Sequence, residues 1–199
     1  PLFNDKYNGN IYAPGNSDNE IESKFQSFLK STFWPVSMDM FTAKIKFNHY
    51  SSGVFNISNN IKIINSPHGH PGGANSIRAE IDRFSVTYIT DCEHPSNHLN
   101  QNVIDISKNT DVLIHDAQYT PEQMRTHKGW GHSSWQHCVE VAKAANVKKL
   151  VLFHHNPDHG NAILNSIEKN AKSYFDNTFS AREGMELFIP EQVSEPLIS

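Results

Sequence analysis

The sequence contains few cysteines and no long apolar run. Cys92 and Cys138 are its two cysteines, and they show no CxxC spacing. We therefore expect no disulfide framework and interpret both as free thiols in a reducing compartment. No stretch approaches the ~20 apolar residues that a membrane helix needs, and no segment has the pattern of a signal peptide. These absences predict a cytoplasmic protein without a membrane partner.

Basic residues also show little clustering. The 199 residues include 17 Lys and Arg against 21 Asp and Glu, a net charge of -4, and only Lys148 and Lys149 are adjacent. Proteins that bind nucleic acid normally carry a basic surface, so we do not expect nucleic acid as a partner. The length and the 37% hydrophobic content predict a single domain over residues 1–199.

The hydrophobic pattern predicts an α/β fold. Residues 1–18 are rich in Asn, Gly and Pro and are predicted to be a surface segment. A helix begins near Asp18, with Ile21, Phe25, Phe28 and Leu29 on one face. The other predicted elements are strands of an antiparallel layer at 43–49, 53–57 and 61–64, a hairpin of 76–81 and 84–90, a strand at 112–114, a helix capped by Ser133 or Ser134, a strand at 149–153, a helix at 162–174 and a strand at 186–189.

Four of these apolar runs lead into side chains that bind metals or transfer protons. A core strand gains nothing from such an ending, and ligands of α/β sheets bind at the carboxyl ends of the strands. We therefore predict one polar site at one rim of the sheet. The endings are His68 and His70 after 61–64, Asp91 with Glu93 and His94 after 85–90, His115 and Asp116 after 112–114, and His154 and His155 after 149–153.

Histidines are abundant and clustered. The chain has 12, and eleven of them lie between His68 and His159. Neutral imidazole with carboxylate suits Zn²⁺ and related first-row metals, and we predict His70, Asp91 and His154 as ligands. For any single histidine, the alternative of an exposed or simply hydrogen-bonded ring has about even odds.

The neighbours of these candidates are predicted to act indirectly. His155 must point away from His154 if the strand pattern continues. Ligating histidines commonly need an acceptor for their second ring N–H, so such outer positions are useful. We assign His94, His155, Asp158 and His159 to substrate contacts or to the second layer around the metal.

Asp116 and His132 form a second candidate constellation. A carboxylate at a strand end can hold an imidazole by one nitrogen, so that the other delivers a proton to a leaving group. The alternative is that His132 only caps the helix that follows it. For Phe33, Trp34 and Trp130 we favour packing in the core over the alternative that they line a substrate pocket.

Taken together, these motifs resemble the metallo-β-lactamase superfamily, in the branch of ribonuclease Z and the small cyclic-phosphate phosphodiesterases. The resemblance implies an αββα four-layer sandwich and a metal-dependent hydrolase, with zinc as the cofactor, in one or two copies, and manganese or iron as alternatives. It implies His70, Asp91 and His154 as metal ligands. It also implies His132 as the acid and Asp116 as the carboxylate that orients it. The segments that carry it are 113–120 (LIHDAQYT), HPGG from His70, 90–94 (TDCEH), 131–134 (GHSS) and 150–155 (LVLFHH).

One motif of this superfamily is missing. HxHxDH, which supplies most ligands in the family, does not occur in the chain, which starts at Pro1. We therefore expect an N-terminally truncated domain with partial metal occupancy, in which a homodimer would help to bury the exposed edge. The predicted substrate is a small phosphodiester. The alternatives are a thioester or lactone hydrolase and a non-catalytic binding module of the same fold.

Overall fold

The structure is a computed structural model that describes residues 1–29, 34–51 and 53–188. The chain divides into two compact units, residues 1–55 and residues 56–199. The prediction of one domain over residues 1–199 stays a prediction. Phe33 and Ile189, which take part in the sequence predictions above, lie outside the described residues.

The first unit contains a two-stranded parallel sheet and one helix. Strand β1 (Asn8–Pro14) pairs in parallel with β2 (Lys44–Tyr50), and helix α1 (Asp18–Phe28) lies between them in the sequence. Residues 1–18 are exposed or half-buried, as predicted for a surface segment, but strand β1 within them was not predicted. Asn, Gly and Pro lower the intrinsic strand tendency of this segment, and pairing with β2 overrides it. The prediction of an antiparallel layer was wrong for β2.

Helix α1 begins where the sequence predicted it. The Ser17 side chain accepts a hydrogen bond from the backbone N of Glu20, which caps the first turn. Ile21 is buried, and the ring of Phe25 packs 5.4 Å from that of Phe47. Phe28 is 77% exposed, so the end of the predicted apolar face does not contribute to this core.

The second unit is built on a mixed sheet of seven strands in the order β3 to β9. The pairs β4–β5 and β5–β6 are antiparallel, whereas β6–β7, β7–β8 and β8–β9 are parallel. The predicted hairpin is confirmed as β5 and β6, which are joined through Asp82 in a left-handed conformation (φ 52°). The strands are β3 (Val54–Ser58, which contains the division between the units), β4 (Ile61–His68), β5 (Ala74–Ile81), β6 (Phe84–Ile89), β7 (Val112–Asp116), β8 (Lys149–Phe153) and β9 (Thr178–Ser180).

Helices pack against both the antiparallel and the parallel strands of this sheet. Helix α2 (Gln101–Ser107) was not predicted, because its sequence, QNVIDIS, is short and mostly polar. Helix α3 (Trp135–Ala144) begins after Ser134, which forms a capping box with His137. Helix α4 (Asn161–Tyr174) follows β8 as predicted. The fully buried core includes Ile89, Val103, Leu113, Val141, Leu150 and Leu152.

The last strand lies earlier in the chain than predicted. Thr178–Ser180 pairs in parallel with β8, whereas residues 186–188 form no strand. The predicted strand at 186–189 is therefore wrong for its described part. Thr178 and Ser180 are buried polar residues, and this polarity hid the short strand from a search for apolar runs.

A closed polar network lies at the amino ends of β6, β7 and β8. The two carboxylate oxygens of Asp111 accept hydrogen bonds from Ser85 N and Oγ (2.7 and 3.0 Å) and from Lys148 Nζ (2.7 Å). The Thr110 hydroxyl donates to the carbonyl of Ser85 (3.1 Å). Burial alone would raise the pKa of Asp111, but the bonds from Lys148 and Ser85 outweigh it and lower the pKa.

Candidate functional site

The carboxyl ends of the same strands bring Asp91, Asp116 and His154 together, all within the second unit. Asp116 is the last residue of β7. His154 follows β8 directly, and Asp91 follows β6 after one residue. Because β6, β7 and β8 are parallel neighbours, their ends meet at one rim of the sheet. This location agrees with the site predicted from the strand endings.

Asp116 and His132 are in direct contact. Nδ1 of His132 lies 2.8 Å from Oδ2 of Asp116, a carboxylate with no exposed surface. The backbone N–H groups of Cys92 (3.1 Å), Gln118 (3.1 Å) and Ser133 (3.4 Å) also donate to this carboxylate. The hydrogen bond to Asp116 raises the pKa of His132, although burial opposes the change. Asp116 is thus held firmly enough to orient the imidazole.

Asp91 and His154 face each other at a distance that exceeds a hydrogen bond. Nε2 of His154 lies 3.8 Å from Oδ1 of Asp91, and Nδ1 lies 3.8 Å from Oδ2 of Asp116. The Gln118 amide nitrogen is 3.2 Å from Nδ1 of His154. Burial alone would raise the pKa of Asp91, but the Thr90 hydroxyl and the nearby histidines lower it overall.

Both residues have a left-handed backbone, with φ 53° at Asp91 and 55° at His154. This conformation is uncommon outside glycine and costs energy for a side chain that carries Cβ. It turns the chain sharply as each strand ends. Aspartate and histidine are among the residue types that adopt this conformation more often than other residues with a side chain.

His70 joins the site through a tight contact with a glycine. Gly131 has φ 90°, and a Cβ atom placed there would overlap the His70 ring and lie 2.8 Å from Cδ of Pro71. The absence of a side chain at Gly131 therefore lets the turn that carries His70 approach the loop that carries His132. The rings of His70 and His132 are 6.0 Å apart.

Glu93 links these segments, and the sequence reasoning assigned it no role. Its two carboxylate oxygens accept hydrogen bonds from the backbone N of Gly129 and of Gly131, both at 2.7 Å. Its own backbone N donates to the carbonyl of Gly69 (2.9 Å), beside His70. The partners are distant in sequence, and the available signal was an acidic residue two positions after Asp91.

Two groups of donor atoms at this rim fit a metal ion. One atom each from His70, Asp91 and His132 lies within 4.8 Å of the others, and the same holds for Asp116, His132 and His154. Two ligands of one tetrahedral zinc ion are about 3.4 Å apart, so the 3.8 Å separation of Asp91 and His154 is close to that of a shared ion. The structure also makes His132 a potential ligand, which the sequence reasoning did not consider.

A third group is fully buried and differs in character. Cys92, His94 and His115 have donor atoms within 4.8 Å of one another, and none of the three residues exceeds 6% exposure. Burial lowers the pKa of His94 to about 2 and that of His115 to about 4, and raises that of Cys92 to about 12. The group is uncharged at neutral pH and offers no open position to a substrate, in contrast to the rim.

The structure does not bring the remaining predicted residues into these groups. His155 faces Ala181 and His159, and burial lowers its pKa. Asp158 is exposed, and its backbone N bonds the Asn156 side chain. His159 is buried, and burial lowers its pKa. Their assignment to substrate contacts or to the second layer around the metal stays a prediction.

An open cleft of about 370 Å³ adjoins the rim, lined by residues that include Gly69, His70, Glu93 and Gly129. Two of the aromatic residues considered for packing are largely exposed: Trp34 at 52% and Trp130 at 60%. The prediction that they pack in the core was wrong. Trp130 belongs to the loop that Glu93 holds, whereas Trp34 belongs to the first unit.

Comparison with known proteins identifies the class. Residues 8–155 match the model of the Beta-lactamase superfamily domain. The chain therefore belongs to the metallo-β-lactamase superfamily, as the motifs implied, and its α/β class and fold are those of that family. Among the described residues, none of the helices combines the length and hydropathy required to span a bilayer.

Among individual relatives, the chain is similar to ribonuclease Z of Archaeoglobus fulgidus, with 39% identity over 88 residues, 42% of this chain and 27% of that protein. Its fold resembles YhfI of Bacillus subtilis (TM-score 0.63, 19% identity, 86% of this chain and 59% of that chain). It also resembles the short form of human tRNase Z (TM-score 0.55, 14% identity, 74% and 60%). The chain thus spans about a third or less of the curated relatives it matches.

Proposed function

We propose that this chain carries the site of a metal-dependent phosphodiesterase that hydrolyses a small phosphodiester. The observation that carries the proposal is the contact between buried Asp116 and His132, directly beside Asp91 and His154, whose facing atoms are 3.8 Å apart. An oriented imidazole next to a group of spaced metal donors is suited to the cleavage of a phosphate ester.

His70, Asp91 and His154 are the proposed metal ligands. Each is half-buried, so one coordination position would remain open for water or substrate. The donor set of imidazole and carboxylate fits zinc, and manganese or iron is the alternative. Divalent metal bound at this rim would polarise a phosphate oxygen and activate a water molecule.

His132 is the proposed general acid. Asp116 holds Nδ1 at 2.8 Å, so Nε2 remains to deliver a proton to the leaving oxygen. The hydrogen bond from His132 to Asp116 raises the pKa of His132, and a raised pKa favours the protonated form that a general acid needs. The pair also favours a phosphodiester over a thioester, because an alkoxide leaving group gains more from protonation than a thiolate does.

The negative net charge of the chain favours a small phosphodiester over RNA as the substrate. The net charge is -4, and RNA-binding proteins rely on basic patches that contact phosphates. The relatives named ribonuclease Z and tRNase Z make RNA the main alternative substrate. A direct comparison of a dinucleotide, a cyclic phosphate and a transfer RNA precursor would separate the two.

A second candidate is a non-catalytic binding module. The proposed ligand set of three residues favours it, because a two-metal site needs more ligands. In this case Asp116 and His132 would serve only to cap the loop before α3.

The test combines metal content with turnover. The chain would be purified, its zinc, manganese and iron determined by elemental analysis, and hydrolysis of bis(p-nitrophenyl) phosphate measured with and without added Zn²⁺ or Mn²⁺. His154→Ala would be compared with His98→Ala, a change at an exposed histidine that lies outside the donor groups described above.

Metal-dependent turnover that His154→Ala abolishes and His98→Ala preserves would support the proposal. Metal binding without turnover of any phosphodiester would favour the binding module. Absence of both in a folded chain would overturn the catalytic assignment for these 199 residues.

A further inference from the structure

The loop before His132 displays a tryptophan at the edge of the proposed site. Trp130 lies between Gly129 and Gly131, which have φ values of 86° and 90°. Its side chain is 60% exposed, although tryptophan is normally among the most buried residues on average. The loop conformation needs glycine on both sides, and the result is an aromatic ring held out toward solvent.

This loop is fastened rather than free. Both oxygens of Glu93 accept hydrogen bonds from the backbone N of Gly129 and of Gly131 at 2.7 Å, one on each side of Trp130. Trp130 N also donates to the His127 carbonyl (3.3 Å). A side chain on a fixed backbone loses less entropy when it binds a ligand, so this arrangement is pre-organised for contact.

A row of aromatic rings connects Trp130 with the proposed acid. The ring of Trp130 meets that of His127 edge to face at 4.7 Å, and His127 lies 4.6 Å from Tyr119. Tyr119 lies 6.0 Å from His132. The row packs against the Trp130 ring, which remains 60% exposed.

We propose that Trp130 is a stacking platform for a planar aromatic ring on the leaving-group side of the substrate, which makes the preferred substrate a small phosphodiester that carries a nucleobase. This inference rests on the proposed function, because His132 defines where the leaving oxygen lies. Trp130 is two positions before His132, so their Cα atoms are at most about 7 Å apart. The loop can therefore reach a base that a ribose joins to the leaving oxygen.

The nucleobase is the occupant that the chemistry favours. A base offers a flat π face whatever its sequence identity, and stacking on tryptophan contributes substantially to affinity for nucleotides. Lys128 is two residues before Trp130 in the sequence, and it lines a neighbouring cavity together with Arg125 and the acidic Glu93. A purely aliphatic diester would leave the exposed ring without a partner.

The kinetic test compares two cyclic phosphates that differ in the base. Adenosine 2′,3′-cyclic phosphate carries a nucleobase, and glycerol 1,2-cyclic phosphate has the same five-membered ring without one. We expect Trp130→Ala to lower kcat/KM for the adenosine compound about 10- to 100-fold and to leave the glycerol compound within about twofold. Trp130→Phe should retain most of the preference, and Trp34→Ala, at the exposed tryptophan of the first unit, should change neither.

A binding measurement makes the test independent of turnover. Adenosine 5′-monophosphate should quench tryptophan fluorescence of the wild-type chain, whereas ribose 5-phosphate should not, and Trp130→Phe should abolish the quenching. An oligoadenylate that binds much more tightly per base than the mononucleotide would assign the base to RNA and overturn the small substrate.

The two proposals can fail separately. Quenching that depends on Trp130 in a chain without hydrolytic activity would retain the stacking site and reject the proposed function. Hydrolysis of both cyclic phosphates with equal loss, or with no loss, in Trp130→Ala would retain the phosphodiesterase and reject the stacking platform. Quenching by the mononucleotide that persists in Trp130→Phe would also reject it.

Discussion

The two ends of strands β6, β7 and β8 both carry buried or half-buried polar side chains, but they differ in how these are paired. At the amino ends, Asp111 is bonded through both oxygens to Ser85 and Lys148 at 2.7–3.0 Å. At the carboxyl ends, His154 faces Asp91 and Asp116 at 3.8 Å. The first network is complete within the protein, whereas the second leaves donor atoms spaced for something else.

This contrast separates stability from function. Buried polar groups are normally hydrogen-bonded, because an unpaired one loses its hydration without compensation. The amino-end network meets this rule and fixes the strand starts. At the carboxyl ends, buried Asp116 is bonded by four donors. Asp91 and His154 are half-buried, and Asp91 accepts a hydrogen bond from the Thr90 hydroxyl. We therefore expect mutations at the two ends to affect different measurements.

The largest expected effect is on catalysis at the carboxyl end. His132→Gln should lower kcat for a phosphodiester by about 10²- to 10⁴-fold, the usual contribution of general acid catalysis. The unfolding temperature should change little, because Asp116 keeps its three backbone donors. If the kcat of His132→Gln above pH 7 is within threefold of the wild-type value, the proposed role of His132 as the acid is contradicted.

Gly131→Ala should disturb the contact between the two site loops. The new Cβ would overlap the His70 ring and the backbone would be held at a positive φ, so we expect a loss of about 3 kcal/mol in the free energy of unfolding. Gly184→Ala is the matched control, since Gly184 has φ 73° and open space around it. Equal losses in urea unfolding would show that the clash with His70 contributes nothing.

At the amino end, Asp111→Asn should lower stability without a direct effect on the site. The expected loss at pH 7 is about 2 kcal/mol, since the charged partner of Lys148 and the acceptor for Ser85 are changed. The folded-state pKa of Asp111 is lowered, so its carboxylate stabilises the fold above the unfolded pKa of about 3.9. This contribution is lost as pH falls through the lower folded value.

Urea unfolding of wild type and Asp111→Asn at pH 7 and at pH 3 would test this dependence. The difference between them should shrink on acidification. A difference that stays constant across this range would indicate that packing, not charge, explains the effect of the substitution.

The smallest effect is expected at the exposed partner of the same ion pair. The Lys148 side chain is 54% exposed, and exposed ion pairs contribute about 0.2–1 kcal/mol. Lys148→Met should therefore lower stability by less than about 1 kcal/mol, and 1 M NaCl should reduce the difference further. A loss as large as that of Asp111→Asn would show that the ion pair with Lys148 provides most of the stabilisation by this network.

The strand endings allowed much of the rim to be predicted from the sequence. A buried apolar run followed by Asp116 or by His154 has few structural explanations, and parallel strands bring such endings together. The same logic failed for β1 and β9, because Asn, Gly, Thr and Ser give no apolar signal. Their strand pairing is decided by the neighbouring strand, which local sequence does not reveal.

Contacts between distant segments were also beyond the sequence. Glu93 bonds Gly129 and Gly131 across 36 and 38 residues, and no spacing rule connects them. The overlap that a side chain at Gly131 would make with His70 is another such contact. The sequence therefore indicated which residues belong to the rim but not what holds the Trp130 loop in place.

At Asp91 and His154, which have a left-handed backbone, the residue that would best stabilise the fold differs from the residue that the proposed site needs. Glycine at either position would relieve the torsional cost of a Cβ atom, but it would remove a proposed metal ligand. Random drift under selection for folding alone would tend to erase both side chains. A chain that carries aspartate and histidine here is less stable than its own backbone permits, and binding at the rim is the gain that would offset this deficit.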